Sequence, residues 1–535
     1  MPCFIRLICL LSCLPFLLQA PTACPGAEAA NLQLRRQVPV GEHDESFRAV
    51  IDQQSWELSK TAVIVCDMWD SHHCFRAVGR VNELAPRVDR LLKHVRKAGG
   101  TIIHAPSGCM ESYADHPARR RALAESIVAN LPDQIESWCY KIDAESENSY
   151  PIDQSDGGED DSPEEHASWE AELVKQGRDP KRPWRKQIDR IEIDPRRDFV
   201  SDRGDEIWSL LANRSIDQVM LVGVHTNMCV LGRPFGLRQL AKNGKNVVLV
   251  RDLTDTMYNP AARPYVSHFT GTDLIVSYIE RYVCPTISSD QLLGGSPLRF
   301  KDDERPTIVM MVGESEYNTE QTLPIFAIKN LGKAYRVRFV LEHPDSKKGF
   351  VGLEQLEDAD ALLISVRRKL LPKGQLVKVR RYVASGKPVI GIRTASHAFC
   401  LRKAAPPPGR SDWKTFDPDV FGGHYTNHHG NQLASTVHAV ADSQSHPILK
   451  GVKGLPFQQG GSLYKTSPLL TGTNVLLVGK ADGVRDEPVA WTFERSDGGV
   501  SFYTSLGHKD DFEQPVFEKL LKQAIDWSLQ ISESQ

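Results

Sequence analysis

Short runs of apolar, β-branched residues recur along this chain, and most of them are followed by a segment with helical periodicity. The first run is Thr61–Cys66, which is followed by the amphipathic segment Val81–Ala98 and a second run at Thr101–Ala105. Repeated strand–helix–strand order places parallel strands in one sheet with helices on both faces. The sequence therefore predicts an α/β protein of doubly wound, three-layer α/β/α domains with mostly parallel sheets.

The alternation occurs in two blocks, and 535 residues are more than one hydrophobic core normally supports. The stretch 288–306 is rich in Gly, Pro and charged residues and is the predicted linker. We therefore expect a first domain at 31–287 and a second at 307–535. Within the first, the acidic stretch 153–165 contains Gly, Ser and Pro, which predicts a solvated insertion loop.

The N-terminus has a different composition from the rest of the chain. Arg6 is the only charge before a nearly apolar run from Leu7 to Leu18, and small residues follow that run. This layout is typical of a secretory signal peptide, and the run is too short for a permanent membrane span. We expect residues 1–30 to direct export to the periplasm or the medium. Thr22-Ala-Cys24 also resembles the end of a lipoprotein box, which would lipidate Cys24.

Charge and cysteine content exclude several classes of function. The formal net charge is -3, and neither half is strongly basic, which argues against nucleic-acid binding. Seven cysteines follow the leader without zinc-type spacing, and so long a chain with so few thiols has no disulfide framework. An odd number of thiols leaves at least one free for catalysis. The expected partner is a small-molecule substrate.

Two predicted strand ends carry reactive side chains. Asp67 directly follows the first strand, and Cys229 follows the strand 219–224 at the start of a predicted helix. The carboxyl ends of parallel strands are where α/β proteins place reactive groups. A helix N-terminus favours a thiolate, and a neighbouring carboxylate can accept the thiol proton. A small buried cysteine is the alternative interpretation.

The residues 223–230, GVHTNMCV, resemble the nucleophile motif of isochorismatase-like hydrolases, with Asp67 and Ile216 also matching. The resemblance covers about Ser55 to Tyr282. It implies a three-layer α/β/α fold, an Asp–Lys–Cys triad and a cis peptide before the cysteine turn. By this resemblance Cys229 is the nucleophile and Asp67 the general base, and the backbone amides of Met228 and Cys229 form an oxyanion hole.

The lysine of that triad has no clear counterpart. The corresponding region, 191–199, reads IEIDPRRDF and contains no lysine. Arg196 falls nearest the expected position, and Lys186 is the other candidate. An arginine can stabilise a thiolate and orient Asp67, but it hardly ever gives up a proton.

Six further side chains are expected to line the pocket, although each could equally be a satisfied core residue: Trp69, Asp70, His72, His104, His225 and Thr226. Nicotinamidases, which are relatives of this family, bind a zinc-type ion through Asp and His near the triad. The adjacent pair His72 and His73 beside Asp70 does not reproduce their spacing, and the two rings cannot easily both point inward, so a substrate-pocket role for one of them is favoured over a divalent metal. No cofactor is predicted.

The second block resembles the ThuA-like family, whose fold is that of class I glutamine amidotransferases. The matching pieces are 446–448 (HPI), 487–491 (EPVAW) and 500–508 (VSFYTSLGH), within about 305–529. The nucleophile elbow of that fold holds Arg393 or Thr394 here instead of cysteine, so a Cys–His amidotransferase mechanism is unsupported. The candidate site residues are Arg393, Thr394, His424, His428 and His508. They could form a metal or carbohydrate site, or a polar loop cluster.

These observations predict an exported cysteine hydrolase that acts on a small amide or related C–N bond, with a carbohydrate-related second domain. The alternative is a non-catalytic, two-domain carbohydrate-binding protein whose sites are both degenerate. Relatives of the first domain often oligomerise, so the resemblance also allows this protein to form a homo-oligomer.

Overall fold

The computed structural model describes residues 28–40, 46–146 and 148–530. Most of the predicted leader, including the lipidation candidate Cys24, lies outside the described residues. Ala29 and Ala30, which the leader prediction includes, begin the first strand. Within the described ranges, no helix is both long enough and apolar enough to cross a membrane.

The first half of the chain alternates strands and helices, as predicted. Its strands are β1 (Ala29–Pro39), β2 (Phe47–Glu57), β3 (Thr61–Cys66), β4 (Thr101–Ala105), β5 (Phe199–Val200), β6 (Gln218–Val224), β7 (Asn246–Asp255) and β8 (Thr286–Ile287). Its helices are α1 (Phe75–Lys97), α2 (Pro117–Ala124), α3 (Pro163–Lys175), α4 (Gly204–Asn213), α5 (Leu237–Lys242), α6 (His268–Tyr282) and α7 (Asp290–Leu293). The sheet order is β2-β1-β8-β7-β6-β3-β4-β5. The pairs from β8 to β5 are parallel, and β1–β2 is an antiparallel hairpin at the edge.

The central strand β3 shows why this domain has three layers. Ala62 and Ile64 pack into one hydrophobic cluster, and Val63 and Val65 pack into another. Successive side chains of a strand point to opposite faces, so the two clusters cover the two faces of the sheet. A parallel sheet that is covered on both faces has continuously apolar strands. The predicted α/β fold class is confirmed.

The second half contains a larger sheet. Its strands are β9 (Thr307–Gly313), β10 (Arg336–Leu341), β11 (Ala361–Val366), β12 (Leu371–Pro372), β13 (Val389–Ile392), β14 (Arg410–Ser411), β15 (Asn427–His428), β16 (Thr436–Ala439), β17 (Phe457–Gln458), β18 (Tyr464–Lys465), β19 (Thr473–Lys480), β20 (Glu487–Glu494) and β21 (Val500–Thr504). Its helices are α8 (Thr319–Phe326), α9 (Lys373–Ala384) and α10 (Pro515–Ser528). The main sheet has the order β10-β9-β11-β13-β21-β20-β19-β16-β17. It is parallel from β10 to β21 and antiparallel from β20 onward, which the sequence pattern did not distinguish.

Two helices differ from their predicted bounds because of local capping and breaking residues. Helix α1 begins at Phe75, six residues before the predicted start at 81, since Asp161 accepts hydrogen bonds from the backbone N–H groups of Phe75 and Arg76. A carboxylate in this position satisfies the free N–H groups of a first turn. The helix predicted to start at Cys229 is not continuous: Pro234 and Gly236 interrupt it, and α5 begins at Leu237.

The acidic stretch 153–165 is not the solvated loop that was predicted. Its Asp160 is buried and accepts two hydrogen bonds from Arg80 of α1, at 2.8 and 2.9 Å. Arg80 Nε also donates to Asp255 at the end of β7, at 2.7 Å. His268 of α6 approaches the second Asp255 oxygen at 2.9 Å. These four groups form a buried ion network that fastens the insertion against the sheet.

We expect Arg80→Met to lower the free energy of unfolding by about 3–5 kcal/mol, because it leaves the buried carboxylates of Asp160 and Asp255 without their cation. The matched control is Arg76→Met on the same helix, whose exposed ion pair with Glu165 contributes about 0–1 kcal/mol. Urea denaturation followed by circular dichroism measures both. Equal losses in the two variants would contradict the assigned role of the network.

Candidate functional site

Two neighbouring strand ends bring Asp67 and Cys229 together. Strands β3 and β6 pair in parallel, with Cys66 opposite Gly223, and Asp67 follows Cys66 directly. Cys229 lies in the helical turn Thr226–Val230 that follows β6. Gly223 has a φ of 110°, and a Cβ there would lie 2.0 Å from the Cys66 carbonyl oxygen. Only glycine therefore permits the close approach of these two strand ends.

Asp67 is fully buried and holds two fixed partners. One carboxylate oxygen accepts a hydrogen bond from the Ser107 backbone N–H at 2.7 Å, and the other accepts one from Arg233 Nε at 3.2 Å. Burial raises the pKa of Asp67 above its ordinary value, although Arg233, Cys229 and Ser107 oppose this shift. The carboxylate is therefore a stronger base than an exposed aspartate.

The Cys229 thiol lies within the electrostatic influence of both groups, since the charges of Asp67 and Arg233 act on it. Burial and the Asp67 charge raise the pKa of the Cys229 thiol, and Arg233 lowers it. The pKa of Arg233 is lowered by burial, but Asp67 and the thiols outweigh that effect and raise it. The resting state is consequently a thiol beside a carboxylate and a permanent cation.

The basic residue of this cluster is Arg233 and neither of the two predicted residues. Arg196 is exposed and its backbone N–H donates to Asp194, while the Lys186 ammonium pairs with Asp189. Arg233 follows Cys229 by four residues in a helical region, a spacing that places two side chains on one face. This spacing is visible in the sequence and indicates Arg233, whereas the family resemblance pointed to a lysine upstream.

A cluster of aromatic rings lies beside the segment that carries Asp67. Trp69 and Trp184 stack with their ring centroids 4.7 Å apart, and His72 stacks on both at 6.0 and 5.9 Å. Trp69 Nε1 donates to the Ser107 carbonyl oxygen, the residue whose N–H binds Asp67. Trp69 and His72 thus lie together as expected, whereas Trp184 was not singled out from the sequence.

His225 is buried and lies edge-on to His72, with centroids 4.9 Å apart. Neither of its ring nitrogens has a hydrogen-bond partner among the described residues. Burial lowers the pKa of His225 to about 4, so the ring is neutral at physiological pH. The bond between Val224 and His225 is cis, as the family resemblance implies. Thr226 shares a hydrogen bond with Thr254 at 2.7 Å.

Two predicted pocket residues are engaged elsewhere. His104 is a satisfied core residue, since its ring nitrogens bind Gln187 at 2.9 Å and Asp198 at 3.1 Å. Asp70 pairs with Arg178 at 2.9 Å. Metal-type clusters within the described ranges comprise Cys74 with Asp160 and Asp161, and Glu159 with Asp161 and His166; they do not include Asp70 or His72.

The predicted oxyanion hole needs one correction. The Met228 N–H donates to the His225 carbonyl oxygen at 3.0 Å, closing the turn that carries Cys229. An amide that is already bonded in this way is a poor donor for a developing oxyanion.

In the second domain, two of the predicted residues take part in one cluster. Arg393 follows β13, and its guanidinium lies against the ring of Tyr317. The Tyr317 ring packs edge-on to the His508 ring, with their centroids 5.5 Å apart. Thr394 is adjacent and buried, and its hydroxyl has no partner among the described residues. His424 is exposed, and the His428 ring binds the His429 carbonyl oxygen, so neither supports the predicted pocket.

Asp417 of the same domain has a buried carboxyl group that is only partly hydrogen-bonded. One oxygen accepts a hydrogen bond from the Tyr425 N–H at 2.7 Å, and the other is buried without a partner in the described part of the chain. Burial raises the pKa of Asp417 to about 7, although the Tyr425 bond opposes this.

Comparison with known proteins yields one family model. Residues 308–528 match the model described as ThuA, trehalose utilisation, so this part of the chain is a ThuA domain. No curated protein matches the chain.

Solved structures resemble each half separately. A ThuA-like protein from Bacteroides uniformis is 18% identical with a TM-score of 0.34, covering 44% of this chain and 95% of its own. A cysteine hydrolase from Pseudomonas syringae is 16% identical with a TM-score of 0.27, covering 44% and 92%. An isochorismatase family protein from Burkholderia thailandensis is 13% identical with a TM-score of 0.24, covering 44% and 93%. The last two cover the N-terminal part.

We expect Asp417→Asn to flatten the pH dependence of stability between about pH 4 and 7. The pKa of Asp417 is higher in the folded protein than in the unfolded chain, where it is about 4. The protonated carboxyl group therefore stabilises the folded state fully below a pH of about 4, and this contribution is lost as the pH rises through about 7. The variant cannot titrate and loses this component, so its free energy of unfolding should rise relative to wild type with increasing pH. The limiting slope is about 1.4 kcal/mol per pH unit. Asp419→Asn, in the exposed part of the same turn, is the control and should run parallel to wild type in urea unfolding. A parallel Asp417→Asn profile would contradict the assignment.

Proposed function

We propose that this protein is a hydrolase of small amides or related C–N bonds, with Cys229 as the nucleophile and Asp67 as the general base. One observation carries the proposal: a fully buried Asp67 pairs with Arg233, and both charges act on the Cys229 thiol at the adjoining strand end. The family resemblance of residues 223–230 points to the same chemistry. For the ThuA domain, we propose a carbohydrate-related role that follows its family description.

In the first half-reaction, Asp67 accepts the Cys229 proton, and the thiolate attacks the carbonyl carbon of the substrate. The Arg233 cation stabilises the thiolate at the moment it forms, when the Asp67 charge has just been neutralised. The tetrahedral intermediate then collapses as the C–N bond breaks. The protonated Asp67 returns its proton to the leaving nitrogen, and a thioester remains on Cys229.

Water completes the cycle. Asp67 accepts a proton from the attacking water, the C–S bond breaks, and that proton returns to the Cys229 sulfur as the acid leaves. Arg233 keeps its charge throughout, because an arginine does not deprotonate in this range. The arginine therefore takes over the electrostatic part of the family lysine's role, and Asp67 makes every proton transfer.

The aromatic cluster and His225 favour a particular class of substrate. Trp69, Trp184 and His72 stack on one another, and such a ring cluster suits a small planar or apolar substituent. His225 supplies a neutral ring with two free nitrogens, which suits the polar atoms of an amide.

We expect Cys229→Ala to abolish ammonia release from a panel of small primary amides. Asp67→Asn should reduce kcat by roughly 10²–10⁴-fold, because it removes the only proton carrier in the mechanism. Arg233→Lys retains the cation and should keep most of the activity that Arg233→Met loses. Circular dichroism of each variant controls for folding. Full activity in Asp67→Asn would contradict the mechanism.

Thiol alkylation tests the site without a known substrate. Cys229 is 8% exposed and Cys284 is 7% exposed, so Cys284 is a matched control without an acid–base pair. Near neutral pH, iodoacetamide should modify Cys229 at least tenfold faster, since the Arg233 cation favours its thiolate, whereas the charge acting on Cys284 is the Glu280 carboxylate. Peptide mass spectrometry measures both rates.

The two neighbours should affect this rate in opposite directions. Arg233→Met should slow alkylation of Cys229, since the cation lowers the pKa of that thiol, and Asp67→Asn should not slow it, since the carboxylate charge raises that pKa. If Cys229 reacted no faster than Cys284, the non-catalytic binding protein would be the better description.

A further inference from the structure

Arg393 occupies the turn of the ThuA domain that directly follows the central strand β13. Its backbone φ is 41°, a left-handed conformation that is unusual for a side chain of this size. The residue is only 1% exposed. Its Nη1 donates to the Ser505 carbonyl oxygen at 2.8 Å, immediately after the neighbouring parallel strand β21. The guanidinium therefore lies at the carboxyl ends of two adjacent strands, where α/β folds bind ligands.

Aromatic rings enclose the guanidinium on two sides. Its central carbon lies 4.1 Å from the Tyr317 ring centroid and 4.8 Å from that of Tyr464. Gly461 closes another side, because a Cβ at that position would lie 2.2 Å from Arg393 Nη2. Tyr464 is buried, whereas Tyr317 is half-buried on the loop after β9. Tyr317 is thus the member of this enclosure that faces solvent.

The cation lacks a dedicated anionic partner. Its Nε is buried with no hydrogen-bond partner among the described residues. Asp511 acts on it only from a distance, and both Asp511 oxygens already accept backbone N–H groups, from Gly460, Gly507 and His508. A buried guanidinium usually binds a carboxylate through two parallel hydrogen bonds. Among the described residues, Arg393 has no such carboxylate: its Nε is unpaired, Nη1 binds the Ser505 carbonyl oxygen, and the Tyr317 side chain also acts on the guanidinium.

Several arginines act on the histidine beside Arg393. His397, four residues after Arg393, stacks on Tyr425 with centroids 4.5 Å apart. Burial lowers the pKa of His397 to about 2, and Arg368, Arg367, Arg402 and Arg393 lower it further. Arg367 is paired with Glu316, whereas the other three arginines have no ion pair among the described residues. Their unbalanced charge favours an anion.

We infer that Arg393 anchors a binding site for a small anionic ligand, which presents a carboxylate or phosphate oxyanion to the unpaired guanidinium edge beneath Tyr317. The rings of His397 and Tyr425 stack, and Tyr464 packs at a tilt against both, so the same aromatic cluster continues beside the guanidinium. The site is separate from the Cys229 centre and does not depend on the hydrolase mechanism.

The test is a binding titration of the full chain, by calorimetry and by thermal shift, with glucuronate, glucose and inorganic phosphate. Glucuronate and glucose differ in the carboxylate alone, so glucuronate should bind and glucose should not. Tighter binding of glucuronate than of phosphate would identify an organic acid as the ligand class, and the reverse order would identify a phosphate group. Absence of binding by both anions, or equal binding of glucose and glucuronate, would overturn the inference.

Variants locate the binding. Arg393→Lys keeps the charge but not the planar fork, and should weaken anion binding by roughly tenfold or more. The matched control is Arg380→Met, an exposed arginine of the same domain that stacks on Trp413 at 4.0 Å, which should bind as wild type does. Arg233→Met should also bind normally, since it alters only the first site. Undiminished binding in Arg393→Lys would overturn the assignment, and the glucuronate–glucose comparison on wild type stands if that variant fails to fold.

Discussion

The complete burial of the Asp67 carboxylate is the constraint around which the first domain is organised. A buried charge is tolerated only when it is paired and hydrogen-bonded, and here Arg233 and the Ser107 N–H provide both. That pairing is possible because β3 and β6 end side by side, with Gly223 allowing their close approach. The same contacts that stabilise the carboxylate also place it against Cys229, so folding and reactivity depend on one arrangement.

A second buried network supports the first. Arg80 connects Asp160 of the insertion with Asp255 at the end of β7, and His268 completes it. The Asp255 and Arg80 charges also act on His225, which lies beside His72. The insertion is therefore part of the site's electrostatic surroundings. Its acidic residues have different roles: Asp160 is buried in this network, Asp161 caps helix α1, and others are exposed.

The sequence predicted what depends on local pattern. Strand β3 and the placement of Asp67 and Cys229 at strand ends follow from apolar periodicity and connection order. Trp184 and Asp160 were missed, because their roles arise from contacts between segments that are distant in the chain or from a loop whose path has no periodic signal. Arg233 was missed although its four-residue spacing from Cys229 is visible in the sequence, because the family resemblance placed the cation near 191–199 and only the fold brings Arg233 against Asp67.

Arg233 and Arg393 illustrate how the partner of a buried arginine defines its role. Arg233 faces Asp67 and the Cys229 sulfur, so its charge is balanced and serves to hold a second charge in place. Arg393 faces two tyrosine rings and the Ser505 carbonyl group, which solvate a cation weakly and leave its charge unbalanced. Arg393 directly follows strand β13, whereas Arg233 lies in the helical region after Cys229. The first domain thus presents a neutralised cation to a nucleophile, and the second holds a buried cation that has no ion pair among the described residues.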